Sequence, residues 1–562
     1  MYHSLDMALT MKIITTLLLI CLVGLSLAFG QEQSKLFDAS KIRERVIRLS
    51  ADDFEGRGPG TAGGRRATQY IAEELKAAGV KPGNKKSYFQ NVKLVGVKAD
   101  PSTSLQIANG SGKASSYKIG NDFVATTSAQ AADVSIDSEL VFVGYGIDAP
   151  LYNWNDYSGP PENYKDKVLM IMVNDPPATD TEPNLFGGKA LTYYGRWTYK
   201  YEEAAKRGAA GVILIHTTES AGYGWNVVRT SNGNWRYEIA RAPNDSTPFL
   251  KIKSWATNDA AAKILKNTGL DLDELRAKAR LRGFRPINTG LKIKLDLKSE
   301  MTAFDSPNVV GIVEGSNKRL KNEFVIYTAH WDHLGIGEAD AKADKIYNGA
   351  YDNASGVASV LSIAEALAKM PTKERPRRSS LFLFTTAEEQ GLLGAEYYSQ
   401  NPIVPLLKTA GNVNIDGVNF FGKVSDFSAL GAERSTIEPV VAEVARERNM
   451  TLGGDMHPEQ GFFFRSDHFP FAKVGVPAVS LRHGDDFLTP LTGEALNFFR
   501  DYTAKFYHQP SDEYKDWWDT GAMIQNTELG LAIGLKLANL PSMPRFKETD
   551  EFAAADKKRF AK

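Results

Sequence analysis

Residues 324–356 read FVIYTAHWDHLGIGEADAKADKIYNGAYDNASG, and this stretch decides the fold expected for the chain. Its β-branched and aromatic beginning predicts a strand that ends at His330-Trp331-Asp332, and a helical pattern starts after Asp352. Side chains two residues apart on a strand point the same way, so His330 and Asp332 can converge. Open α/β sheets bind their ligands at the carboxyl ends of strands. An imidazole and two carboxylates gathered there indicate a metal site.

The chain beyond residue 305 alternates regularly between strand-like and helix-like segments. Apolar residues recur at helical spacing over residues 355–370, directly after the quoted stretch. Strands that alternate with helices form largely parallel sheets covered by those helices. The predicted fold class is therefore α/β, with a mixed, mostly parallel sheet sandwiched by helices. The predicted strands occupy residues 308–313, 324–329, 380–385, 411–415 and 477–481.

Residues 134–300 contain several strand-like segments with few helical patterns between them, which indicates an inserted β-rich module. Aromatic residues on its loops, at 193–199 and at Trp225, fit a substrate cleft and packing inside the module equally well. Its strand-like segments are 139–146, 167–173 and 211–216, with a helix predicted over 201–208. The predicted domains are the N-terminal part of the main domain at 31–133, the module at 134–300, the main domain at 301–545, and a charged, loose tail at 546–562.

A glycine-rich loop at residues 52–64 precedes the first predicted helix of the main domain. It lacks the Lys-Ser/Thr pair of a phosphate-binding loop, and no strand comes before it. We therefore expect a tight, ordered loop packed near the functional site.

Length and charge bound the class of protein. The chain has 562 residues, enough for two or more domains, and its 67 Lys and Arg balance 67 Asp and Glu. This balance argues against nucleic acid or an anionic membrane surface as a partner.

The N-terminal residues predict export. Lys12, an apolar run and Ala28-Phe29-Gly30 form the pattern of a signal peptide at residues 1–30, cleaved after Gly30. The alternative is an uncleaved membrane anchor, for which the run is short. The single cysteine, Cys21, would leave with the signal, so the mature chain has no disulfides. We expect a periplasmic or secreted protein with no stable membrane insertion after cleavage.

Seven His, Asp and Glu side chains follow predicted strands or lie on nearby loops. Two divalent cations need a bridging carboxylate and further His and carboxylate ligands. Asp352 can bridge, His330 and Asp416 can complete one metal, and Glu389 and His508 the other. Zinc is the default for such a set, with cobalt or manganese as substitutes. The seven candidates are His330, Asp332, Asp352, Glu388, Glu389, Asp416 and His508.

Each acidic candidate has a plainer alternative. A lone Asp at a strand end is more often a helix cap or a solvated charge. Histidine is scarce, with 8 in the chain, so two histidines at the positions that a metal site requires are stronger evidence than the acidic residues. Four other histidines are expected to be non-ligands, and His333 is the doubtful one because it adjoins Asp332. They are His333, His457, His468 and His483.

In combination these motifs resemble those of the M28 family of zinc peptidases. The loop DDFEGRGPGTAG at 52–63 is similar to the N-terminal loop of bacterial members, and the module at 134–300 resembles the protease-associated domain that many members carry. The motifs that carry the resemblance are AHWDH at 329–333, GAYDNASG at 349–356, TAEEQGLLGAEYY at 386–398, NIDG at 414–417, RSDHFPFAKVGVPA at 465–478 and YHQPSDEY at 507–514.

The resemblance implies a dizinc exopeptidase that removes the N-terminal residue from peptides with a free N-terminus. Asp332 would hold the imidazole of His330, and Asp352 would bridge the metals beside a cis peptide to Asn353. Glu388 would be the general base and Glu389 a ligand. The resemblance also implies that Arg465 contacts substrate.

Three rival functions stay open from the sequence. A carboxypeptidase of the same fold would need a cluster of arginines for the terminal carboxylate, and Arg465 is a single one. A glutaminyl cyclase would use one zinc, whereas this chain offers a two-metal set. A catalytically inactive binding protein would be expected to lose ligands, and none is lost.

Overall fold

A computed structural model describes residues 36–561 apart from residues 111, 113 and 234. The predicted signal peptide lies outside the described residues. The strands are β1 Lys81–Pro82, β2 Phe89–Ala99, β3 Ser104–Asn109, β4 Ala114–Lys118, β5 Phe123–Thr126, β6 Asp133–Phe142, β7 Asp148–Ala149, β8 Trp154–Asn155, β9 Val168–Met172, β10 Gly211–His216, β11 Arg236–Ile239, β12 Ile252–Thr257, β13 Ile287–Val313, β14 Phe324–His330, β15 Gly335–Ile336, β16 Ile346–Tyr347, β17 Ser379–Thr385, β18 Thr409–Ile415, β19 Asp426–Leu430, β20 Thr451–Gly453 and β21 Ala478–His483.

Helices cover both faces of the sheets that these strands form. They are α1 Ala39–Leu49, α2 Ala62–Ala77, α3 Trp197–Lys206, α4 Thr218–Ala221, α5 Trp225–Gly233, α6 Asn258–Lys266, α7 Leu272–Ala279, α8 Gly356–Lys369, α9 Leu393–Gln400, α10 Glu438–Glu447, α11 His468–Lys473, α12 Gly493–Asp501, α13 Thr520–Asn539 and α14 Ala553–Phe560. In the described part of the chain, none of these helices combines the length and apolar character needed to cross a membrane.

The main sheet is mixed, with a parallel centre. Its strand order is β11–β2–β13–β17–β14–β18–β21–β19–β20, with β1 also paired to β13. The four strands β17, β14, β18 and β21 run parallel to one another. Their carboxyl ends therefore meet at one edge. The predicted α/β class with a mostly parallel sheet is confirmed.

Both faces of β14 are buried, which explains its uninterrupted apolar sequence. Val325, Tyr327 and Ala329 pack in the core beneath α8 and α13. Ile326 points the other way and packs with Tyr398 of α9 and with α11. A strand fixed by packing on both faces holds its last residue, His330, in a defined place.

The second large sheet forms the inserted module, with the strand order β4–β3–β13–β6–β9–β10–β12–β5. The first part of β13 belongs to this sheet, and its later part, from Ser299 on, pairs with β2 in the main sheet. One continuous strand thus joins the two sheets. The predicted boundary at residue 134 is wrong, because β3, β4 and β5 lie before it and pair within this sheet. The match to a protease-associated domain stays a prediction.

The C-terminal segment is packed, so the expectation of a loose tail is wrong. Phe546 and Phe552 are buried against Phe463 and Phe469 of the main domain. Arg559 of α14 donates a hydrogen bond of 2.8 Å to the carbonyl of Thr409. The expectation rested on the charged residues of the segment, whereas two of its aromatic residues pack against an apolar cluster that is far away in sequence.

Candidate metal centre

The parallel centre of the main sheet brings the predicted residues together. His330 is the last residue of β14 and lies opposite Thr385 of the adjacent β17, so Glu388 and Glu389 come from the loop that leaves that neighbour. Asp416 directly follows β18, which pairs with β14 on its other side. Because Asp332 also follows β14, three neighbouring strand ends supply five of the seven candidate side chains.

A first group of donors surrounds the imidazole of His330. Its Nε2 lies 3.1 Å from Oδ1 of Asp352 and 3.1 Å from Oδ1 of Asp416. One donor atom from each of these three residues lies within 4.8 Å of the others. Oε2 of Glu388 is 4.0 Å from the same Nε2.

A second group uses the other oxygen of Asp352. Nε2 of His508 lies 3.4 Å from Oδ2 of Asp352 and 2.9 Å from Oε2 of Glu389. The two carboxylate oxygens of Asp352 thus face two different histidines. A carboxylate in this position can be shared between two cations.

The donor set fits a pair of zinc ions. Ligand atoms roughly 2.0–2.2 Å from a tetrahedral zinc lie about 3.4 Å from each other, and the distances above are close to that value. Nε2 of His508 is buried and makes no hydrogen bond to any described residue, although a carboxylate lies beside it. A buried ring nitrogen beside two carboxylates, with no hydrogen-bond partner that meets the geometry, is suited to serve as a metal ligand once it has lost its proton.

The turn around Asp352 holds the shared carboxylate in place. The peptide bond between Asp352 and Asn353 is cis, as the family resemblance implied. The side chain of Asn353 donates to the carbonyl of Ile415 and accepts from the backbone N–H of Gly356 and Gly417. These bonds tie the turn to the end of β18.

Asp512 and Arg57 fix the same turn from outside, and neither was among the seven candidates. The carboxylate of Asp512 accepts hydrogen bonds from the backbone N–H of Tyr351, at 3.0 Å, and of Asp352, at 3.1 Å. The buried guanidinium of Arg57 donates to the carbonyls of Asn348 and Gly349. Arg57 belongs to the glycine-rich loop, so the expectation that this loop packs near the site is confirmed.

Asp332 orients His330 differently from the prediction. Nδ1 of His330 donates to the main-chain carbonyl of Asp332 at 3.1 Å, whereas the carboxylate is 4.0 Å away. The carboxylate accepts a hydrogen bond from the backbone N–H of Glu388 instead. Because Nδ1 carries the proton, Nε2 is left as the ligand nitrogen. The carboxylate therefore positions the loop that carries Glu388.

His333 lies nearer the centre than we expected. Its Nδ1 is 2.6 Å from Oε1 of Glu389, and its ring makes an edge contact with His508. With Asp352 and Glu389 it forms another group of donors that could hold a metal. The sequence signal that could have identified His333 as part of the centre is its position directly after Asp332.

Burial and neighbouring charges raise the pKa values of three side chains in the site. Burial, together with the charges of Asp416 and Glu389, holds the pKa of Glu388 well above its ordinary value. Burial also raises the pKa of Asp332 to about 8. Burial alone would lower the pKa of His508, but Glu389 and Asp352 outweigh it and raise that pKa to about 10. The negative charge of these buried carboxylates stabilises any cation bound in the site, whether a metal ion or a proton.

Arg465 lies beside this centre. It directly precedes Ser466, whose hydroxyl donates to Oδ2 of Asp416 at 2.6 Å. Its guanidinium stands 5.5 Å from the centre of the Phe462 ring.

Comparisons with known proteins agree with this geometry. The model of peptidase family M28 matches residues 308–533. The chain is 30% identical over 167 residues to a vacuolar membrane protease of Saccharomyces cerevisiae, which covers 30% of this chain and 15% of that protein. It is 29% identical over 213 residues to aminopeptidase YwaD of Bacillus subtilis, which covers 37% of this chain and 39% of the relative. The match thus spans less than half the length of either relative.

Among solved structures, an aminopeptidase from Aneurinibacillus sp. strain AM-1 is similar with a TM-score of 0.49 and 19% sequence identity, covering 91% of this chain and 95% of that one. All seven candidate residues of the centre fall inside the segment that the family model matches. The similarity to peptidase family M28 therefore covers the candidate centre but not the inserted module.

Proposed function

We propose that the protein is a two-zinc aminopeptidase. The observation that carries this proposal is the placement of Asp352, whose two carboxylate oxygens face His330 on one side and His508 on the other. His330, Asp352 and Asp416 would hold one ion, and Asp352, Glu389 and His508 the other. Two zinc ions, when bound there, would lower the pKa of a water and polarise the scissile carbonyl.

Glu388 is the proposed general base. It lies in the pocket with Oε2 at 4.0 Å from Nε2 of His330, and burial holds its pKa well above that of a solvated carboxylate. A carboxylate that serves as general base takes a proton from the attacking water and returns it to the leaving amine. The carboxylate of Asp332, bonded to the backbone N–H of Glu388, keeps this side chain in position.

Acidic side chains around the centre would also select the substrate's end. A free α-amine is a cation at neutral pH, and the carboxylates of Glu388, Glu389 and Asp416 would attract it. A blocked N-terminus has no such charge. We therefore propose peptides with a free N-terminus as substrates and cleavage of their first residue.

A panel of aminoacyl-nitroanilides tests the function directly. We expect hydrolysis of substrates with a free amine, loss of hydrolysis after chelation, and its return when zinc is added, with about two zinc ions per chain by mass spectrometry. N-acetylated versions of the same substrates serve as the matched control. Equal hydrolysis of free and acetylated substrates, or full activity in chelator, would refute an aminopeptidase of this kind.

We also propose that the enzyme works outside the cytoplasm, in the periplasm or medium. This rests on the signal-peptide pattern at residues 1–30. Sequencing the N-terminus of the protein from its native source should give a start at Gln31.

A further inference from the structure

Three arginines gather on one side of the candidate metal centre without any acidic partner. In each, the Nε atom is buried and has no hydrogen-bond partner. No described residue forms an ion pair with them or accepts a hydrogen bond from them. The three are Arg196, Arg465 and Arg482.

Arg465 and Arg482 come from the main domain and share one aromatic neighbour. Their guanidinium carbons lie 5.5 Å and 5.6 Å from the centre of the Phe462 ring. Arg482 lies in β21 directly after Leu481, which pairs with Ile415, the residue before Asp416. Arg465 precedes Ser466, which bonds to the carboxylate of that same Asp416. Both arginines therefore stand beside a candidate metal ligand.

Arg196 comes from the inserted module. The loop before it is docked on the main domain, since the N–H of Leu191 donates to the carbonyl of Pro458 at 2.8 Å. The Tyr193 ring packs at 5.1 Å from that of Phe469. Burial and the charge of Arg465 lower the pKa of Arg196 to about 10, so it stays charged at neutral pH. Two domains thus contribute positive charge to one place.

Several other arginines in the described part of the chain that are largely buried are paired with carboxylates. Arg45 bonds to Glu74 and Glu365, Arg378 bonds to Glu323, and Arg434 bonds to Asp550 and Glu551. A half-buried guanidinium whose Nε is buried without an acceptor is unfavourable, and three of like charge repel one another. A ligand that carries an anionic group would pair with these three arginines, which explains why they have no acidic partner within the described residues.

We propose that Arg196, Arg465 and Arg482 form a subsite for a carboxylate of the peptide substrate. Guanidinium groups bind carboxylates through paired, charge-assisted hydrogen bonds. The carboxylate comes either from an acidic side chain or from the C-terminus of a short peptide. This inference rests on the proposed peptidase function, and it makes the inserted module part of the substrate site.

Matched substrates that differ only in charge test the subsite. Glu- and Gln-nitroanilide compare the side chain, and Leu-Gly-Gly with its C-terminal amide compares the terminus. We expect the wild-type ratio of kcat/KM, charged over neutral, to exceed one in at least one pair. In Arg196→Met and Arg482→Met that ratio should fall about tenfold, the loss expected of a charge-assisted pair. Arg196→Glu should reverse the preference.

The exposed Arg285 of the same module gives the control variant, because Arg285→Met should leave both ratios unchanged. If the ratio falls only for Glu- and Gln-nitroanilide, the subsite binds the carboxylate of an acidic side chain. If it falls only for Leu-Gly-Gly and its amide, the subsite binds the C-terminal carboxylate. Ratios near one in the wild type that the variants do not change would overturn the subsite while leaving the peptidase function intact.

A binding measurement separates the two proposals. Isothermal titration of the zinc-loaded Glu388→Gln protein with Glu-Gly-amide and Gln-Gly-amide does not depend on turnover, and titration with Leu-Gly-Gly and its amide covers the terminus. If no free-amine substrate is hydrolysed by the wild type, the peptidase function fails. Tighter binding of a charged peptide, lost in Arg196→Met, would still support the subsite, and equal binding within each pair would refute it.

Discussion

Glu388 and Glu389 are neighbours in sequence but occupy opposite electrostatic environments. The pKa of Glu388 is raised by burial and nearby carboxylates. Glu389 is buried as well, yet the charges of His508 and His333 outweigh this and lower its pKa to about 2. Two carboxyl groups with separated pKa values suit two roles, a base and a ligand.

Glu388→Gln should retain zinc and lose about two to four orders of magnitude in kcat, the usual contribution of a general base. The amide keeps the shape of the side chain but cannot take the proton. Steady-state kinetics together with metal analysis measures both effects.

The matched variant Glu389→Gln should instead lower the zinc content. A Glu388→Gln enzyme that keeps most of its rate would remove Glu388 from the mechanism.

Zinc should stabilise the protein more at pH 9 than at pH 6. Without metal, His508 has a folded pKa of about 10 against an ordinary value near 6.5, so its contribution to stability is complete below pH 6.5 and is lost as the pH rises toward 10. The raised pKa of Glu388 acts in the same direction. A bound cation replaces these protons. The difference in Tm between zinc-loaded and chelated protein, read by calorimetry, should grow with pH, and a constant difference would contradict this account.

At the scale of elements, the glycine-rich loop is held by one buried side chain. Arg57 donates to the carbonyls of Leu49, Trp331, Asn348 and Gly349. These bonds join α1, the end of β14 and the turn before Asp352. A guanidinium is needed because its fixed planar shape reaches several carbonyls at once.

Arg57→Met should lower the free energy of unfolding by about 3 kcal/mol or more, because it leaves several buried carbonyls without a donor. Urea denaturation measures the change. Arg48→Met, which removes an exposed pair with Asp53, should cost less than about 1 kcal/mol. Equal effects of the two substitutions would show that the loop does not depend on Arg57.

The strands and the long helix α8 could be predicted because their apolar periodicity is local. Predicted boundaries at 308–313, 324–329 and 380–385 lie within or close to β13, β14 and β17. The start of the module was predicted too late in the chain, because β3 pairs with β13, far away in sequence, and β4 joins the module only through β3.

At the scale of the whole molecule, the C-terminal segment closes the main domain beside the arginine subsite. Phe552 packs on Phe463, Phe469 and Phe546. Phe463 directly follows Phe462, against which Arg465 and Arg482 lie. The segment therefore supports the part of the chain that would meet substrate.

Phe552→Ala should destabilise the protein by about 3–5 kcal/mol, the usual cost of emptying an aromatic core position. Thermal or urea unfolding detects the change. Phe560→Ala, near the end of the same segment and only half-buried, is the control and should cost clearly less. A loss of less than about 1 kcal/mol from Phe552→Ala would mean that the segment is not anchored.

The sequence by itself determined the parallel core and the seven residues at its edge, because periodicity and strand-end position are local properties. Their roles as ligands and base stay predictions. Only the tertiary structure decided that the main-chain carbonyl of Asp332 orients His330, and that Arg196 from the module lies near enough to Arg465 for their charges to interact. Such contacts join residues far apart in the chain, and packing and charge select them after the strands have formed.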